Sequence, residues 1–583
     1  MLTSIVILTH NKLDYTIQCI ESIRRYTRPN SYEIIVVDNK STDETVPWLS
    51  AQSDIRVIYN EQNEGFPKGC NQGIEISNGD HILLLNNDVI VTENWLDNLI
   101  GCLTSDEDIG AVSCVTNHCS YGQTIPVSYN SVESMQLFAK QYNYSNRNQW
   151  EERLKLVGFC MLIRKSVVDQ IGLLDERFTP GNYEDDDYSV RIRKAGYKLI
   201  LCKDTFIHHF GSVSFKENTS FLQLLERNVG LFESKWGFNP DQSQMIQNDI
   251  VSLINCEADA SINVLEIGCG SGGTLLAIKN KFKNSELYGI EMNPAEAEVA
   301  SLIANINVVD FSNLDLELEL TYPAATFDYI IISDSLAKLY DPEAFVRELR
   351  HYLKREGKLL MKTRNMLHHL VVTQFVKGSW FYSELDALKK PNIRYFTQQD
   401  VKTMLSRTGY QEEVLVGVKG RESLEEKLFM EKLSLVGNPQ FLEQTEAKYY
   451  IVQARKDILD DLVTEIDANR NNKEHNIGIL QPYSAEKVIS TIVSKHVEKP
   501  VELLNYLAVT HFEQGFYDRV IPFLESALQL SPDDIEVLYN MTYVLHFLGE
   551  QRVSMTYADR LKRLDEAAYT DLLELFVTPS HSK

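Results

Sequence analysis

The chain has 583 residues, 44% hydrophobic and 24% charged, with a formal net charge of -25. That length holds roughly three or four domains, the apolar fraction is that of a globular chain, and the acidic balance excludes nucleic acid or an anionic membrane as a bulk electrostatic partner. Nine cysteines form no C-x-x-C pair, no apolar run approaches the ~20 residues that span a bilayer, and the opening MLTSIVILTHNKLDY matches no signal peptide, so a soluble, cytoplasmic protein with free thiols is expected.

From Ser4 to about Phe238 short apolar runs alternate with helical spacing. SIVILT, YEIIVVD, IRVIYN and HILLLNND read as strands, and segments such as DYTIQCIESIRRYT read as helices. This βαβ pattern predicts a mostly parallel sheet, with ligands expected beyond the carboxyl ends of its strands. Those ends carry Thr9 and Asn11, then Asp38, then the glycine-rich NEGFPKGCNQG with Asn63 and Lys68, then Asn86, Asn87 and Asp88. Singly, each has a plain reading as a turn residue or a loop glycine. Four such ends in order are harder to dismiss.

These stretches, with GFCMLIRKSVVDQIGLLDERF, EDDDYSVRIRKAGYKL and HHFGSVS, resemble the family 2 glycosyltransferases of GT-A fold over about residues 1–240. The resemblance implies a nucleotide-sugar donor held by Thr9, Asn11, Asp38, Asn63, Lys68, Asn86 and Asn87, with Asp38 on the nucleobase. Asn86 to Asp88 fall on the family's D-x-D site, so Asp88 would hold a divalent Mn or Mg ion. His209, or its neighbour His208, would add a second ligand.

The run EDDDYSVRIRK places four acids before three basic residues. Alone it reads as a solvated helix start whose charges suit the helix dipole. By the resemblance, Asp185 is the general base of an inverting transfer, with Glu184 beside it and Asp187 and Arg191 orienting and neutralising it. Asp186 is left as a solvated residue. A sugar hydroxyl needs such a base because it must lose its proton as it attacks. VGFCMLI, around Gly158, would form the acceptor-side wall.

A polar bridge, NPDQSQMIQNDIVSLINCEADAS, leads to a second βαβ series opening with INVLEIGCGSGG. Its glycines also satisfy G-x-G-x-x-G, so a dinucleotide site is open on spacing alone. Glu266 lies two residues before the first glycine, and Glu291 ends the next strand. With FDYIIISDSLAKLYDPEAFVRELRHYLKREGKLLMKTRN, the segment resembles class I S-adenosylmethionine-dependent methyltransferases over about residues 250–455. That implies Glu266, Gly268 and Gly270 at the methionine portion, Glu291 at the ribose and Asp310 at the adenine. The stretch from Asn365 to Leu405 resembles an acceptor-side segment of surface-polysaccharide methyltransferases, with Arg394 matched and Asn392 where relatives have histidine. His368 and His369 are candidate bases, with ordinary helix residues as the alternative.

DANRNNKEHNIGILQPYS reads as a linker, and the tail from about Ala485 is helical. Leu504, Leu507, Ala508, Gly515, Ala527 and Pro532 sit at tetratricopeptide positions. A step of 34 residues reaches Leu538, Met541, Thr542 and Gly549, which fit, then Leu561, which fits weakly, and Glu566, which does not.

The expected architecture is multidomain. It comprises an α/β GT-A domain at 1–240, an α/β Rossmann-like methyltransferase domain at 241–460, a linker at 461–484 and an all-α tetratricopeptide-like domain at 485–583. The expected activity is bifunctional: sugar transfer to a surface or flagellar protein glycan bound by the helical tail, then O-methylation of that glycan. The competing readings are a capsule or O-antigen enzyme whose tail mediates homo-oligomerisation, and a scaffold with degenerate catalytic domains.

Overall fold

The computed structural model describes residues 1–211, 219–309, 322–378, 392–420, 423–435, 440–494 and 497–577. The chain divides into two compact units, Met1–Arg455 and Lys456–Lys583. Among the described residues, no helix is long and apolar enough to cross a membrane.

The first sheet of the larger unit contains β1 (Thr3–Thr9), β2 (Tyr32–Asp38), β3 (Ile55–Tyr59), β4 (His81–Asn86), β6 (Ile109–Val115), β7 (Trp150–Arg153), β8 (Cys160–Arg164) and β9 (Lys198–Phe206). Their order is β3-β2-β1-β4-β8-β6-β9-β7. The four strands expected from sequence form and run parallel; β1, β2 and β4 carry continuous apolar runs that are buried on both faces, and β3, with only Ile55 buried, closes the edge. The sheet as a whole is mostly parallel, as expected, with two strands reversed: β8 runs antiparallel to β4 and β6, and β7 antiparallel to β9. A separate ribbon pairs β5 (Val89–Ile90) with β10 (His208–His209). This is the GT-A-like arrangement.

The helix Phe66–Glu75 carries the glycines of NEGFPKGCNQG. A Cβ at Gly69 or Gly73 would run into Leu8 or Val6, so these glycines allow the helix backbone to lie directly on β1.

The second sheet contains β11 (Asn263–Ile267), β12 (Glu286–Glu291), β13 (Asn305–Val308), β14 (Phe327–Ile332), β15 (Leu353–Arg364), β16 (Tyr410–Lys419) and β17 (Ala447–Lys456). The order is β13-β12-β11-β14-β15-β17-β16, with β17 antiparallel to β15. This is a Rossmann-like sheet.

The two sheets share a core. Phe178 and Val190, on helical segments beside the first, join one buried cluster with Phe232, Phe238, Ile250, Leu275 and Ile278 and with Val264 and Ile331 of the second. The bridge expected to separate two domains therefore buries Ile250, Val251 and Ile254 and welds them.

The second unit is helical. The segment 461–484 is no linker: the helices Leu459–Ala468 and Lys473–Leu480 place Leu462, Val463, Ile466 and Leu480 in the unit's core. Its polar residues lie on the outer faces of short amphipathic helices, a pattern that composition alone conceals. Downstream, Pro500–Glu513 packs with Val520–Leu530, and Ile535–Phe547 with Gln551–Leu564.

Candidate active sites

The loops after β1 and β2 are tied together. Asn11 accepts the Thr42 N–H at 2.7 Å, and its own N–H donates to Ser41 Oγ at 2.6 Å. Asp38 ends β2, buried, with Oδ2 accepting the Ser41 N–H at 3.0 Å and Oδ1 without a partner. An orphaned buried carboxylate oxygen suits a ligand donor such as a nucleobase N–H. Thr9 and Asn87 lie in an internal network, where the Asn87 amide donates to the Thr9 and Thr16 hydroxyls at 3.3 and 3.1 Å. Asn63 caps the Gly65 N–H at 3.0 Å, and Lys68 pairs with Glu64 at 2.8 Å.

Beyond β4 the β5–β10 ribbon brings Asp88 and His209 together, with His209 Nε2 3.2 Å from Asp88 Oδ1. His209 Nδ1 lies 2.8 Å from the His118 carbonyl, which can only accept, so Nδ1 carries a proton. The ring stacks on Phe159. With neutral imidazole, the Nε2 lone pair would face a carboxylate, an arrangement that a shared cation relieves. Asn86 Nδ2 stands 3.5 Å from the same nitrogen. Among the described residues no three His, Cys, Asp or Glu side chains gather as a metal cage. Two protein ligands fit a cation whose other positions are filled by substrate phosphates and water, the usual way Mg²⁺ is held. His208 points elsewhere, to the Tyr129 hydroxyl at 2.6 Å.

The four acids open the helix Glu184–Lys194. Gly181, Asn182 and Tyr183 all take positive φ (153, 75 and 71°), turning the chain sharply into it. The buried Asn228 pins that turn, donating to the carbonyls of Phe178, Gly181 and Asn182 at 3.0, 2.9 and 2.9 Å.

Each acid has its own environment. Asp186 is buried, not solvated, and pairs with Lys155 at 2.6 Å. Asp187 is fully buried among Arg191 (3.0 Å), Lys235 (2.5 Å) and the Trp236 indole N–H (2.9 Å). Arg191 thus bonds Asp187, and acts on Asp185 only through the helix. Glu184 is buried with Oε2 unpartnered, and burial followed by the Asp185 charge raises its pKa well above the ordinary range. Burial likewise pushes Asp186 up to about 6, against the pull of Lys155. Burial would lower the Lys155 ammonium, but the Asp186 charge outweighs it and holds its pKa above the ordinary value.

Asp185 is the half-buried member, held by the Gly158 N–H at 2.9 Å and the Asp186 N–H at 3.0 Å. It lines a cavity of about 480 Å³ together with Asn86, Tyr121, Lys155, Gly158 and His209. Lys155 and Tyr121 escaped the sequence reading. A lone lysine inside the apolar stretch LKLVGF was the available signal.

In the second sheet, Glu266 is buried with Oε2 unpartnered, and burial pushes its pKa to about 8. Gly268 takes φ 75°, and a Cβ there would strike the Ser335 hydroxyl, so the loop makes a glycine-only cradle. The Glu291 carboxylate accepts N–H groups of Gly270 (2.7 Å), Met292 (2.7 Å) and Asn293 (3.0 Å), which fixes the loop and leaves lone pairs for hydroxyl donors. Asp310 lies outside the described residues. Arg394 lines a pocket with Ser333, Asp334 and Arg364 beyond β14 and β15, and its guanidinium donates to the Tyr340 carbonyl at 2.9 Å. His368 and His369 are both buried with rings 4.2 Å apart, and burial lowers His368 to about 4.

Residues 4–172 match the family described as glycosyl transferase family 2, and residues 244–413 match a methyltransferase domain. The glycosyltransferase GlyG of Streptococcus pneumoniae is 32% identical over 215 residues, covering 35% of this chain and 68% of that protein. The glycosyltransferase AglE of Haloferax volcanii is 25% identical, over 35% of this chain and 66% of its own. The malonyl-[acyl-carrier protein] O-methyltransferase of Bacillus anthracis is 33% identical over 107 residues, 18% of this chain and 39% of its own. The chain spans from 30% to 68% of the length of the first curated relatives it matches.

Proposed function

The chain belongs to glycosyl transferase family 2 through its first domain and carries a methyltransferase domain behind it; from that premise we propose an inverting, cation-dependent sugar transfer followed by S-adenosylmethionine-dependent O-methylation of the glycan. One observation carries the transfer. Of four adjacent acids, Asp185 alone is half-exposed and without a cationic partner, and it shares a cavity with His209 and Asn86. Asp185 takes the proton of an acceptor hydroxyl as that oxygen bonds to C1 of the sugar. The bond from C1 to the diphosphate oxygen breaks on the opposite face, and the nucleoside diphosphate leaves. A divalent cation, held by Asp88 and His209, would supply charge neutralisation to the leaving diphosphate. Asp38 binds the base through its free Oδ1, and Gly158 fixes the Asp185 carboxylate for the proton.

The second reaction rests on Glu266, whose unpartnered oxygen suits the methionine ammonium, and on the cradle at Gly268. The acceptor reading rests on the tail. Gly515 and Gly549, 34 residues apart, have matching φ of 82 and 87°, and Leu504 and Leu538 are both fully buried. This supports tetratricopeptide-like hairpins that present a protein acceptor. All nine cysteines are free, which accords with a reducing cytoplasm.

The test is nucleotide release from UDP-, GDP- and dTDP-sugars with Mn²⁺, Mg²⁺ or chelator. Cation-dependent release from one donor, lost in Asp88→Ala, supports the transfer. Absence of release and of nucleotide binding overturns it.

A further inference from the structure

Between the two sheets lies a cleft of about 730 Å³, larger than the cavity at Asp185. That volume is in the usual range of ligand sites. One wall is β7 and the loop at Tyr121. The other is the helix Gly273–Lys281, which follows the glycine loop of the methyltransferase and presents Leu276, Ala277 and Asn280. Tyr121, Lys155 and Asp241 line both this cleft and the Asp185 cavity, so the two spaces meet on the side of the general base.

The walls are fixed to each other. The Asn280 amide clasps the backbone of Glu152, accepting its N–H at 3.0 Å and donating to its carbonyl at 2.9 Å. Lys194, on the helix of the general base, pairs with Glu298 at 2.8 Å. The cleft is therefore a built feature of one folded unit.

Its lining is mixed: beside apolar surface it carries Lys281, hydrogen-bonded among the described residues only to the Val251 and Ile254 carbonyls at 3.4 and 3.3 Å, and further cations that are paired. Arg153 and Lys203 both pair with Glu151, at 2.8 and 2.6 Å, Lys155 pairs with Asp186, and Arg193 with Glu152 at 3.0 Å. A polyanionic chain would need more than this one unpaired cation, Lys281, and a lipid would need a lining free of these ion pairs. What is left for a ligand is the Oε1 of the buried Gln244, the Nε of Arg153, both unpartnered, and the part of the half-buried Tyr121 ring not covered by the Lys155 ammonium, which lies 4.8 Å from its centroid. An acceptor, a donor and an aromatic face are what an uncharged polyhydroxylated chain uses.

We propose that this cleft binds the extended, uncharged part of a glycan acceptor, so that the methyltransferase domain forms half of the sugar-acceptor site. The inference rests on the transfer reading above and names its acceptor side.

The test titrates the full chain, with UDP and Mn²⁺, against fluorescently end-labelled neutral gluco-, manno- and galacto-oligosaccharides of one to six sugars. Affinity in one series should rise about tenfold or more with length, as added sugars enter the cleft. Ala277→Trp, which fills the cleft from the methyltransferase side, should abolish that rise, and Ala277→Ser should keep it. Gln244→Leu should reduce it, and decides the matter if Ala277→Trp fails to unfold cooperatively. Length-independent binding, no binding by any series, or an undiminished rise in the folded variants overturns the proposal. Cation-dependent donor hydrolysis by the unaltered chain is scored separately. Its absence sinks the transfer reading, whereas hydrolysis without a length effect sinks the cleft alone.

Discussion

His209 Nε2 stands 3.2 Å from Asp88 Oδ1 while its other ring nitrogen is committed to the His118 carbonyl. The pair is bistable in one respect only: what lies between its two electron-rich atoms, a proton or a metal. Isothermal titration of Mn²⁺ in the presence of UDP should show saturable binding. His209→Ala and Asp88→Ala should each weaken it by at least about tenfold to a hundredfold, the scale already seen when a mere supporting partner of a ligand is removed. His208→Ala should leave metal binding near the unaltered value, because that ring bonds Tyr129 instead. Equal losses at both histidines would show that the ribbon, rather than the ligand, had been disturbed.

Asp185→Asn keeps the acceptor atom for the Gly158 N–H but removes the base. Turnover should fall by about a hundredfold to ten-thousandfold, with donor KM little changed. Steady-state kinetics on the best donor decides this, and a fall in donor affinity instead would place Asp185 at the nucleotide.

The acidic cluster shows where sequence reading reached its limit. Its position at a helix start, the existence of the first four strands and the tip positions of Asp38 and Asp88 follow from local pattern, because apolar runs and turn chemistry are local. The fates of Asp186 and Asp187 are set by Lys155, Lys235 and Trp236, 31 to 49 residues away along the chain, and no spacing rule connects them. The helices at 459–480 were hidden for another reason: their core face is a few residues wide and their polar faces dominate the composition. The mixed pairing of β8 was equally invisible, since one apolar strand reads alike in either direction.

Asp186 is buried and its partner Lys155 half-buried, so cutting the lysine leaves a buried lone charge. Lys155→Met should destabilise the larger unit by about 3 kcal/mol, and adding Asp186→Asn should recover most of it. The pH dependence carries a sign. The folded Asp186 carboxyl holds its proton up to about 6, above the ordinary 3.8. Its stabilising contribution is thus complete below 3.8 and is lost as pH rises through 6. Urea unfolding between pH 4 and 7 should therefore fall less steeply with rising pH in Asp186→Asn than in the unaltered chain. An identical slope would mean that the pair is solvated.

Glu266 gives the second domain its own signature. Burial holds its pKa near 8, so at neutral pH it is mostly protonated in the free protein. A bound methionine ammonium favours the carboxylate, and binding must then expel the proton. Below about 8, S-adenosylmethionine affinity should drop about tenfold per pH unit, and above it should level off. Calorimetry in buffers of differing ionisation enthalpy should count close to one proton released at pH 7. Glu266→Gln should bind more weakly at pH 8.5, with no proton release and no slope. If the unaltered chain binds with a flat profile, the ammonium is held elsewhere, and the Glu266 carboxyl serves the fold of the loop instead.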